Sequence, residues 1–175
     1  DKETCRQIYV SMKKLRSRSS RPFRGRVAVP GDKSISHRGL ILGAMAHGRS
    51  RVRGLNEGAD VRSTRTVLEA LGIKTSDEGS ANRVVEVDGS GVAGFAEPAA
   101  PLDCGNSGTT LRTMTGVLAG ARGGFVLTGD RSLSARPMLR IVAPLREMGA
   151  AIDGRSFGDR APLFVRGTDL RGVDH

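Results

Sequence analysis

Apolar residues recur every three or four positions in four segments of the chain, and this spacing predicts four amphipathic helices. Short runs rich in Val, Leu and Phe lie between these segments and predict strands. The predicted helices span 36–46, 61–71, 109–121 and 137–148, and the predicted strands span 52–55, 84–87, 125–128 and 163–165. Because helices alternate with strands along the chain, the pattern indicates an α/β domain.

Glycine and proline mark the ends of the second and fourth predicted helices. Gly72 and Gly149 directly follow them, and each suits a left-handed C-cap because glycine tolerates positive φ. Pro137 suits a helix start, where its missing N–H costs nothing. Pro144 falls inside the same helix, where it predicts a kink.

The two halves of the chain resemble each other. GDKSISHRGLILGAMAHG opens the first half and CGNSGTTLRTMTGVLAGARG opens the second, so that Arg38 matches Arg112 and Gly72 matches Gly149. Each half reads as polar loop, helix, strand, loop, helix, strand, turn and strand, with 89–101 as the connection. This predicts two copies of one supersecondary unit, over residues 27–100 and 101–175.

Positive charge is concentrated at the N-terminus. The chain has a net charge of +10, and residues 1–26 hold nine Lys or Arg against two acidic residues. This composition predicts a flexible basic leader. Five Phe, one Tyr and no Trp are too few for a base-stacking surface. We therefore expect no nucleic-acid partner, and an RNA-binding module built on the leader is kept as an alternative.

The location of the protein is predicted from its apolar runs and its cysteines. No apolar run approaches the roughly 18–20 residues of a membrane span, and the N-terminus lacks the apolar core of a signal peptide. Cys5 and Cys104 lie far apart without metal-type spacing. We expect a cytoplasmic protein with no membrane partner and no metal. Cys104 has no His or Asn frame around it and is expected to be a small buried residue.

A polar loop precedes the first helix of each half. Backbone N–H groups at a helix start are unpaired and the helix dipole is positive there, so an anion can bind. In the first loop, Lys33 adds a charge, Ser34 a hydroxyl and Arg38 a guanidinium that can bind a phosphate or carboxylate in bidentate fashion.

The second loop, GNSGTT, offers a different set of groups. Gly108 lets the backbone approach a ligand closely, and Asn106 and Thr109 can hydrogen-bond to it. A third cluster, GDRSLSARP, places Arg131 and Arg136 after a predicted strand.

Each loop taken alone fits an ordinary helix cap as well as an anion site, and both interpretations stay open. Neither loop has the Walker pattern, and no GxGxxG follows a strand. His37 lies beside Arg38, so a structural or polar role is as open as a catalytic one. The three loops together indicate a small substrate that carries more than one negative group.

Four motifs in collinear order resemble one family. PGDKSISHR, LDCGNSGTTLR, GDRSLSARPM and PLREMGA are similar to the N-terminal part of bacterial-type 5-enolpyruvylshikimate-3-phosphate synthases. The resemblance implies transfer of the enolpyruvyl group of phosphoenolpyruvate to shikimate 3-phosphate, with release of phosphate and no cofactor. It also implies an inside-out α/β barrel fold of two domains, each with three βαβαββ units. By this resemblance, the chain holds about two of the three units of the first domain.

The resemblance assigns roles residue by residue. Lys33 would lie between the substrates, contact both and take part in catalysis, while Ser34 and Arg38 would bind shikimate 3-phosphate. The phosphoenolpyruvate pocket would be lined by Asn106, Gly108, Thr109 and Arg136. Arg112 is expected to brace its loop, and Arg131 receives no role. Inhibitors such as glyphosate would occupy the pocket beside Gly108.

Length separates this chain from the complete enzymes of that family. The third unit of the first domain and the whole second domain are missing, and they carry the family's acidic general base. We therefore expect little or no activity from the chain alone, and a monomer for the complete protein.

The related UDP-N-acetylglucosamine enolpyruvyl transferases are the closest alternative, because they share this fold and chemistry. That family typically has Lys-Asn where this chain has Lys33 and Ser34, and its loop cysteine would fall at Arg131. Both differences favour the shikimate enzyme.

Overall fold

A computed structural model describes residues 24–27, 29–78 and 84–174. The predicted leader lies outside the described residues up to residue 23. The helices are α1 (Lys33–Met45), α2 (Ala59–Ala70), α3 (Gly108–Ala119), α4 (Arg131–Ser134), α5 (Leu139–Glu147) and the short α6 (Arg155–Gly158). The strands are β1 (His47–Arg53), β2 (Lys74–Glu78), β3 (Val84–Ser90), β4 (Leu102–Asp103), β5 (Gly124–Thr128), β6 (Ala151–Gly154) and β7 (Arg160–Arg166).

The described residues form two sheets that repeat one topology. The first has the antiparallel order β1-β3-β2, and the second has the order β4-β5-β7-β6. In the second sheet β5, β7 and β6 take the places of β1, β3 and β2, and β4 adds a parallel edge strand beside β5. The predicted α/β fold built from a repeated unit is therefore confirmed.

The helices of both halves lie between the two sheets. α1 packs on β1 and β3, α3 packs on β5 and β7, and α1, α2 and α3 contact one another. One buried apolar cluster runs through both halves, from Leu40 and Leu68 to Leu111, Phe125 and Leu163. Because the two halves share this cluster, the helix starts of the two halves are held near each other.

Two helix ends match their predicted chemistry. Gly72 has φ +86° and Gly149 has φ +99°, the left-handed region that side chains with a Cβ rarely adopt. Both follow the second long helix of their half. The two predicted C-caps are confirmed.

The fourth predicted helix is shorter than its sequence suggests. α5 begins at Leu139, two residues after Pro137, because Asp159 Oδ1 accepts hydrogen bonds from the N–H groups of Met138 and Leu139, both at 3.0 Å. This cap comes from a residue twenty positions away, so local sequence does not reveal it. Pro144 lies within α5, and the helix continues beyond it to Glu147.

Several strands were missed or misplaced because they are polar. β1 begins at His47, five residues before the predicted strand, and its Arg49 and Arg51 pair with acidic side chains of β2 and β3 on the exposed face. β2 has the sequence KTSDE and lacks an apolar run. β3 continues to Ser90 and Val92–Gly94 form a 3-10 turn, within the segment predicted as a plain connection.

Candidate functional site

The first residue of α1 is Lys33, one of the predicted site residues. Asp32 caps the helix, since its side chain accepts a hydrogen bond from the Ile35 N–H at 2.8 Å. The Lys33 ammonium donates to Asp60 Oδ2 of α2 at 2.9 Å, and both side chains are partly exposed. The contact orients the Lys33 ammonium without enclosing it.

The loop before α1 packs tightly against the loop after β1. Ser36 Oγ donates to the Asp32 carbonyl at 2.7 Å and accepts from the Asn56 N–H at 2.9 Å. Asn56 Nδ2 donates to the Gly31 carbonyl at 2.8 Å. A Cβ on Gly31 would overlap the carbonyl oxygen of Gly54, so this close approach requires glycine. The N-terminal turn of α1 is therefore held rigidly in place.

Ser34 and Arg38 present exposed side chains on α1. Neither side chain makes a hydrogen bond or salt bridge to another described residue, whereas Lys33 is held by Asp60. A ligand can therefore reach both groups without breaking an internal contact.

The start of α3 repeats this arrangement with different groups. Ser107 caps the helix by accepting from the Thr110 N–H at 3.2 Å. Asn106 Nδ2 donates to Asp130 Oδ2 at 2.6 Å, and Asn106 Oδ1 accepts from Arg136 Nη2. The hydrogen bond from Asn106 is the main cause that holds the pKa of Asp130 below its usual value. The second loop and the third cluster are thereby joined.

Cationic groups crowd Gly108, the first residue of α3. A Cβ on Gly108 would lie 2.8 Å from Arg112 Nη1 and 3.1 Å from Arg136 Nη1. Burial, and then the charges of Arg140 and Arg136, lower the pKa of the Arg112 guanidinium. The buried Nε of Arg112 has no hydrogen-bond partner among the described residues. Two guanidinium groups thus meet at the N-terminus of α3, where an anion would relieve their repulsion.

Arg112 also touches the backbone. Its Nη2 donates to the Pro137 carbonyl at 3.3 Å. This contact is the bracing role predicted for Arg112, and the position of its Nη1 beside Gly108 adds charge to the site.

Thr109 is the second residue of α3 and is partly buried, with Gly108 before it and Thr110 after it. Thr110 Oγ1 contacts the Asp60 backbone carbonyl at 3.3 Å, and the Asp60 carboxylate contacts Lys33. One residue of α2 therefore links the Lys33 ammonium to the first turn of α3. The fold brings the two predicted ligand loops together.

Arg131 is the first residue of α4. Its side chain lines a cleft of about 500 Å³ together with Gly129, Ser134, Ala135 and Arg155.

Cys104 is fully buried, as predicted. Burial raises the pKa of its thiol to about 12, so the reactive thiolate is suppressed near neutral pH. Among the described residues no group of three or more His, Cys, Asp or Glu side chains is placed to hold a metal ion. No helix there is both long enough and apolar enough to cross a bilayer.

Sequence reasoning missed Asp60, Thr64, Thr110 and Arg140. Thr64 carried a signal, because it occupies a buried position in the same stripe of α2 as Val61 and Leu68. A hydroxyl in an apolar stripe needs a hydrogen-bond partner. The other three became visible only through contacts between elements.

Comparisons with known proteins identify a family. The sequence model of the family described as EPSP synthase (3-phosphoshikimate 1-carboxyvinyltransferase) matches residues 17–175. The 3-phosphoshikimate 1-carboxyvinyltransferase of Gloeobacter violaceus is 56% identical over 156 residues, covering 89% of this chain and 36% of the relative. That of Chloroflexus aurantiacus is 52% identical over 161 residues, covering 92% of this chain and 37% of the relative.

A solved structure shows the same similarity in three dimensions. The EPSP synthase from Acinetobacter baumannii is 41% identical and superimposes with a TM-score of 0.80, covering 86% of this chain and 34% of that one. The chain thus spans about a third of the length of the relatives that it matches.

Proposed function

The chain belongs to the EPSP synthase family, and on that premise we propose that it supplies the first third of a 3-phosphoshikimate 1-carboxyvinyltransferase. The motif resemblance to this family is confirmed by the match over residues 17–175. The activity is proposed for a complete enzyme, in the shikimate route to aromatic amino acids.

The observation that carries the proposal is the pair of neighbouring cationic helix starts. One carries Lys33, Ser34 and Arg38, and the other carries Gly108 surrounded by arginine guanidinium groups. Shikimate 3-phosphate and phosphoenolpyruvate bear two phosphates and two carboxylates between them. Their approach in one site needs fixed cations that offset the repulsion.

We assign the first loop to shikimate 3-phosphate. Ser34 and Arg38 are exposed, and within the described part of the chain their side chains make no hydrogen bond or salt bridge, as ligand groups should. Lys33 would lie between the substrates, held by Asp60. Its ammonium would stabilise the charge on phosphoenolpyruvate while the acceptor hydroxyl adds to it.

We assign the second loop to phosphoenolpyruvate. Asn106 and Arg136 hydrogen-bond to each other and would present donors to one anion, with Thr109 beside them. Gly108 leaves the guanidinium groups of Arg112 and Arg136 close to the helix start. This set would bind the phosphate or carboxylate of the substrate in a fixed orientation.

The reaction itself balances in two steps. The methylene carbon of phosphoenolpyruvate takes up a proton while the hydroxyl oxygen of shikimate 3-phosphate bonds to the adjacent carbon and loses its proton. The tetrahedral intermediate then loses phosphate, and a proton leaves the new methyl group to restore the double bond. These proton transfers need positioned acid and base groups, and by the family resemblance the acidic base lies beyond the part matched by this chain.

The proposal extends to the setting of the protein. The complete enzyme would be a cytoplasmic monomer that uses small-molecule substrates and no cofactor. Residues 27–100 and 101–175 would be the first two units of its N-terminal domain.

A chimera tests the function directly. This chain would replace the matching third of the Gloeobacter violaceus relative, which is 56% identical to it. We expect the chimera to release phosphate from phosphoenolpyruvate only when shikimate 3-phosphate is present, and to be inactive with UDP-N-acetylglucosamine. The 175-residue chain alone should give little or no turnover. An inactive chimera that folds and binds neither substrate would refute the proposal.

Lys33 is the decisive residue within that chimera. Lys33→Ala should lower kcat by about a hundredfold or more, because a fixed charge aimed at the transition state contributes about 3 kcal/mol. Lys33→Arg keeps the charge and changes its geometry, so it should also lose most of the turnover. Near-normal turnover of Lys33→Arg would contradict a catalytic role for the ammonium.

A further inference from the structure

Six polar side chains are buried among the described residues, and four of them form one hydrogen-bonded chain. His37 Nδ1 lies 2.6 Å from Thr64 Oγ1, and Thr64 Oγ1 lies 2.7 Å from Thr110 Oγ1. Thr110 Oγ1 lies 2.7 Å from Ser107 Oγ. We call His37, Thr64, Thr110 and Ser107 the buried polar chain.

The buried polar chain runs from one ligand loop to the other. His37 lies one helical turn after Lys33 and directly before Arg38 on α1. Ser107 and Thr110 flank Gly108 and Thr109 at the start of α3. Thr64 of α2 bridges the two helices. The buried polar chain therefore connects the two sets of residues that we assign to the two substrates.

The position of each hydroxyl proton sets the direction of the hydrogen bonds along the buried polar chain. Thr64 has one proton and can donate it either to His37 Nδ1 or to Thr110 Oγ1. If His37 carries its proton on Nδ1, Thr64 donates to Thr110. If the proton is on Nε2, Thr64 donates to His37 and accepts from Thr110. The tautomer of His37 and the orientation of the hydroxyls are thereby linked.

The surroundings of His37 in the buried polar chain favour the neutral form of its imidazole. His37 Nε2 is buried and has no hydrogen-bond partner among the described residues, so a second ring proton would be left unpaired. The charges facing the ring are those of Asp60 on α2 and of Lys33 and Arg38 on α1. Burial outweighs the attraction of Asp60 and lowers the pKa of His37.

A purely structural role accounts poorly for this choice of residues. Apolar side chains of similar size would fill the same space without needing partners, and each neutral hydrogen bond adds only about 0.5–1.5 kcal/mol net. Hydrogen bonds are directional, so the buried polar chain is complete only at one relative position of α1, α2 and α3. Apolar packing does not fix that position in the same way.

We propose that the buried polar chain is a positioning network that couples the two substrate subsites. It fixes the first turns of α1 and α3 relative to each other, so that a ligand that orders one loop also orders the other. Thr64 is its central residue, and its hydroxyl bonds to His37 on one side and to Thr110 on the other. The inference rests on the proposed function, and by linkage the coupling acts equally in both directions.

The kinetic test compares two substitutions of Thr64 in the chimera. Thr64→Val keeps the shape and removes the hydroxyl, whereas Thr64→Ser keeps the hydroxyl and serves as the matched control. We expect Thr64→Val to lower kcat/KM for both substrates about tenfold. We also expect glyphosate, as a probe of the phosphoenolpyruvate pocket, to raise the affinity for shikimate 3-phosphate in the unsubstituted chimera and to lose this effect in Thr64→Val. Thr64→Ser should retain both properties.

A second measurement detects the network without relying on catalysis. The 175-residue chain has three His, so ¹⁵N NMR of the imidazoles can resolve His37. We expect one dominant tautomer in the unsubstituted chain, a changed tautomer population and pKa in Thr64→Val, and near-original signals in Thr64→Ser. If Thr64→Val fails to fold, Thr110→Val removes the next hydroxyl of the buried polar chain and takes its place in both measurements, with Thr110→Ser as its matched control.

The outcomes separate this inference from the proposed function. If the unsubstituted chimera turns over and Thr64→Val loses only thermal stability, with kcat/KM and the glyphosate effect unchanged, the network is structural and the inference is wrong. If the unsubstituted chimera folds but is inactive and binds neither substrate, the proposed function fails and the coupling of substrates fails with it. Unchanged His37 signals in a folded Thr64→Val variant would refute the network itself.

Discussion

Single residues of this chain have roles that depend on the space and charge around them. Gly108 is the clearest case, because the two nearest atoms to an added Cβ are guanidinium nitrogens of Arg112 and Arg136. Its backbone φ is not in the left-handed region, so glycine is there for space rather than for conformation. Lys33 likewise depends on Asp60, which holds its ammonium at the start of α1.

Gly108→Ala should therefore disturb ligand binding more than folding. The methyl group would displace one or both guanidinium groups, whereas alanine is well tolerated in the first turn of a helix. We expect KM for phosphoenolpyruvate to rise about tenfold in the chimera, the effect of about 1.4 kcal/mol of lost charge-assisted contact. Affinity for glyphosate should fall as well. Equal KM and inhibitor affinity in both proteins would show that the pocket lies elsewhere.

His37 should make stability depend on pH. Burial lowers its folded-state pKa, and the unfolded imidazole titrates near 6.5. Below that pH the unfolded state binds more protons than the folded state, so the free energy of unfolding falls as the pH drops. Above about pH 7 both states hold a neutral His37, and its contribution to the free energy of unfolding no longer changes with pH. Urea unfolding of the 175-residue chain between pH 7.5 and 5 should show this loss. The nontitrating His37→Asn variant should show a shallower dependence, and equal slopes would contradict the assignment.

At the scale of elements, the helices are positioned by contacts from other elements. α5 begins where Asp159 caps it, and α1 is fixed by the Asn56 loop. Pro144 is unfavourable inside α5, because proline has no N–H to pair with the Arg140 carbonyl.

Replacing Pro144 should test that cost. Pro144→Ala restores the missing donor inside α5, and we expect the free energy of unfolding to rise by about 1 kcal/mol, less than the full helix-interior penalty because the unfolded chain also gains freedom. Pro137→Ala is the matched control, since Pro137 lies before α5 and should give no gain. Chemical denaturation of both variants measures the difference. A loss of stability in Pro144→Ala would mean that the helix geometry there requires proline.

At the scale of the whole molecule, the chain spans about a third of its relatives and leaves apolar side chains uncovered. Ile35 and Leu42 are two helical turns apart on the same side of α1, and they are 70% and 62% exposed. Leu40 of the same helix is fully buried. On the proposed function, we expect this outer side of α1 to be covered in a protein of the full length of the relatives.

A pair of substitutions checks this expectation. Leu42→Ser should change the melting temperature of the 175-residue chain by no more than about 1–2 °C, because surface changes cost little. In the chimera it should lower the melting temperature by several degrees as a buried contact is lost. Leu40→Ala should destabilise both proteins by about 2–5 kcal/mol. Equal small effects of Leu42→Ser in both contexts would show that this side of α1 stays exposed.

Local sequence predicted the parts of the structure that depend on neighbouring residues. The four long helices, the C-caps at Gly72 and Gly149 and the strands at 84–87, 125–128 and 163–165 all follow from apolar spacing and turn chemistry. The repeat predicted a strand after the second helix of each half, but not the bounds of β2 and β6. Those bounds and the cap of α5 are decided by pairing with β3 and β7 and by Asp159. The motifs also indicated the family, through the order and spacing of GDKSISHR, GNSGTT and ARP.

The sequence by itself determined the fold class, the internal repeat, the family and the identity of the groups proposed to bind ligands. Those properties are carried by residue type and spacing, which a linear pattern retains. Only the tertiary structure decided how the groups meet: Asp60 on Lys33, two guanidinium groups at Gly108, and the buried polar chain from His37 to Ser107. Those contacts that join different elements connect residues 27 to 46 positions apart. Packing between elements, which no local preference encodes, brings these residues together.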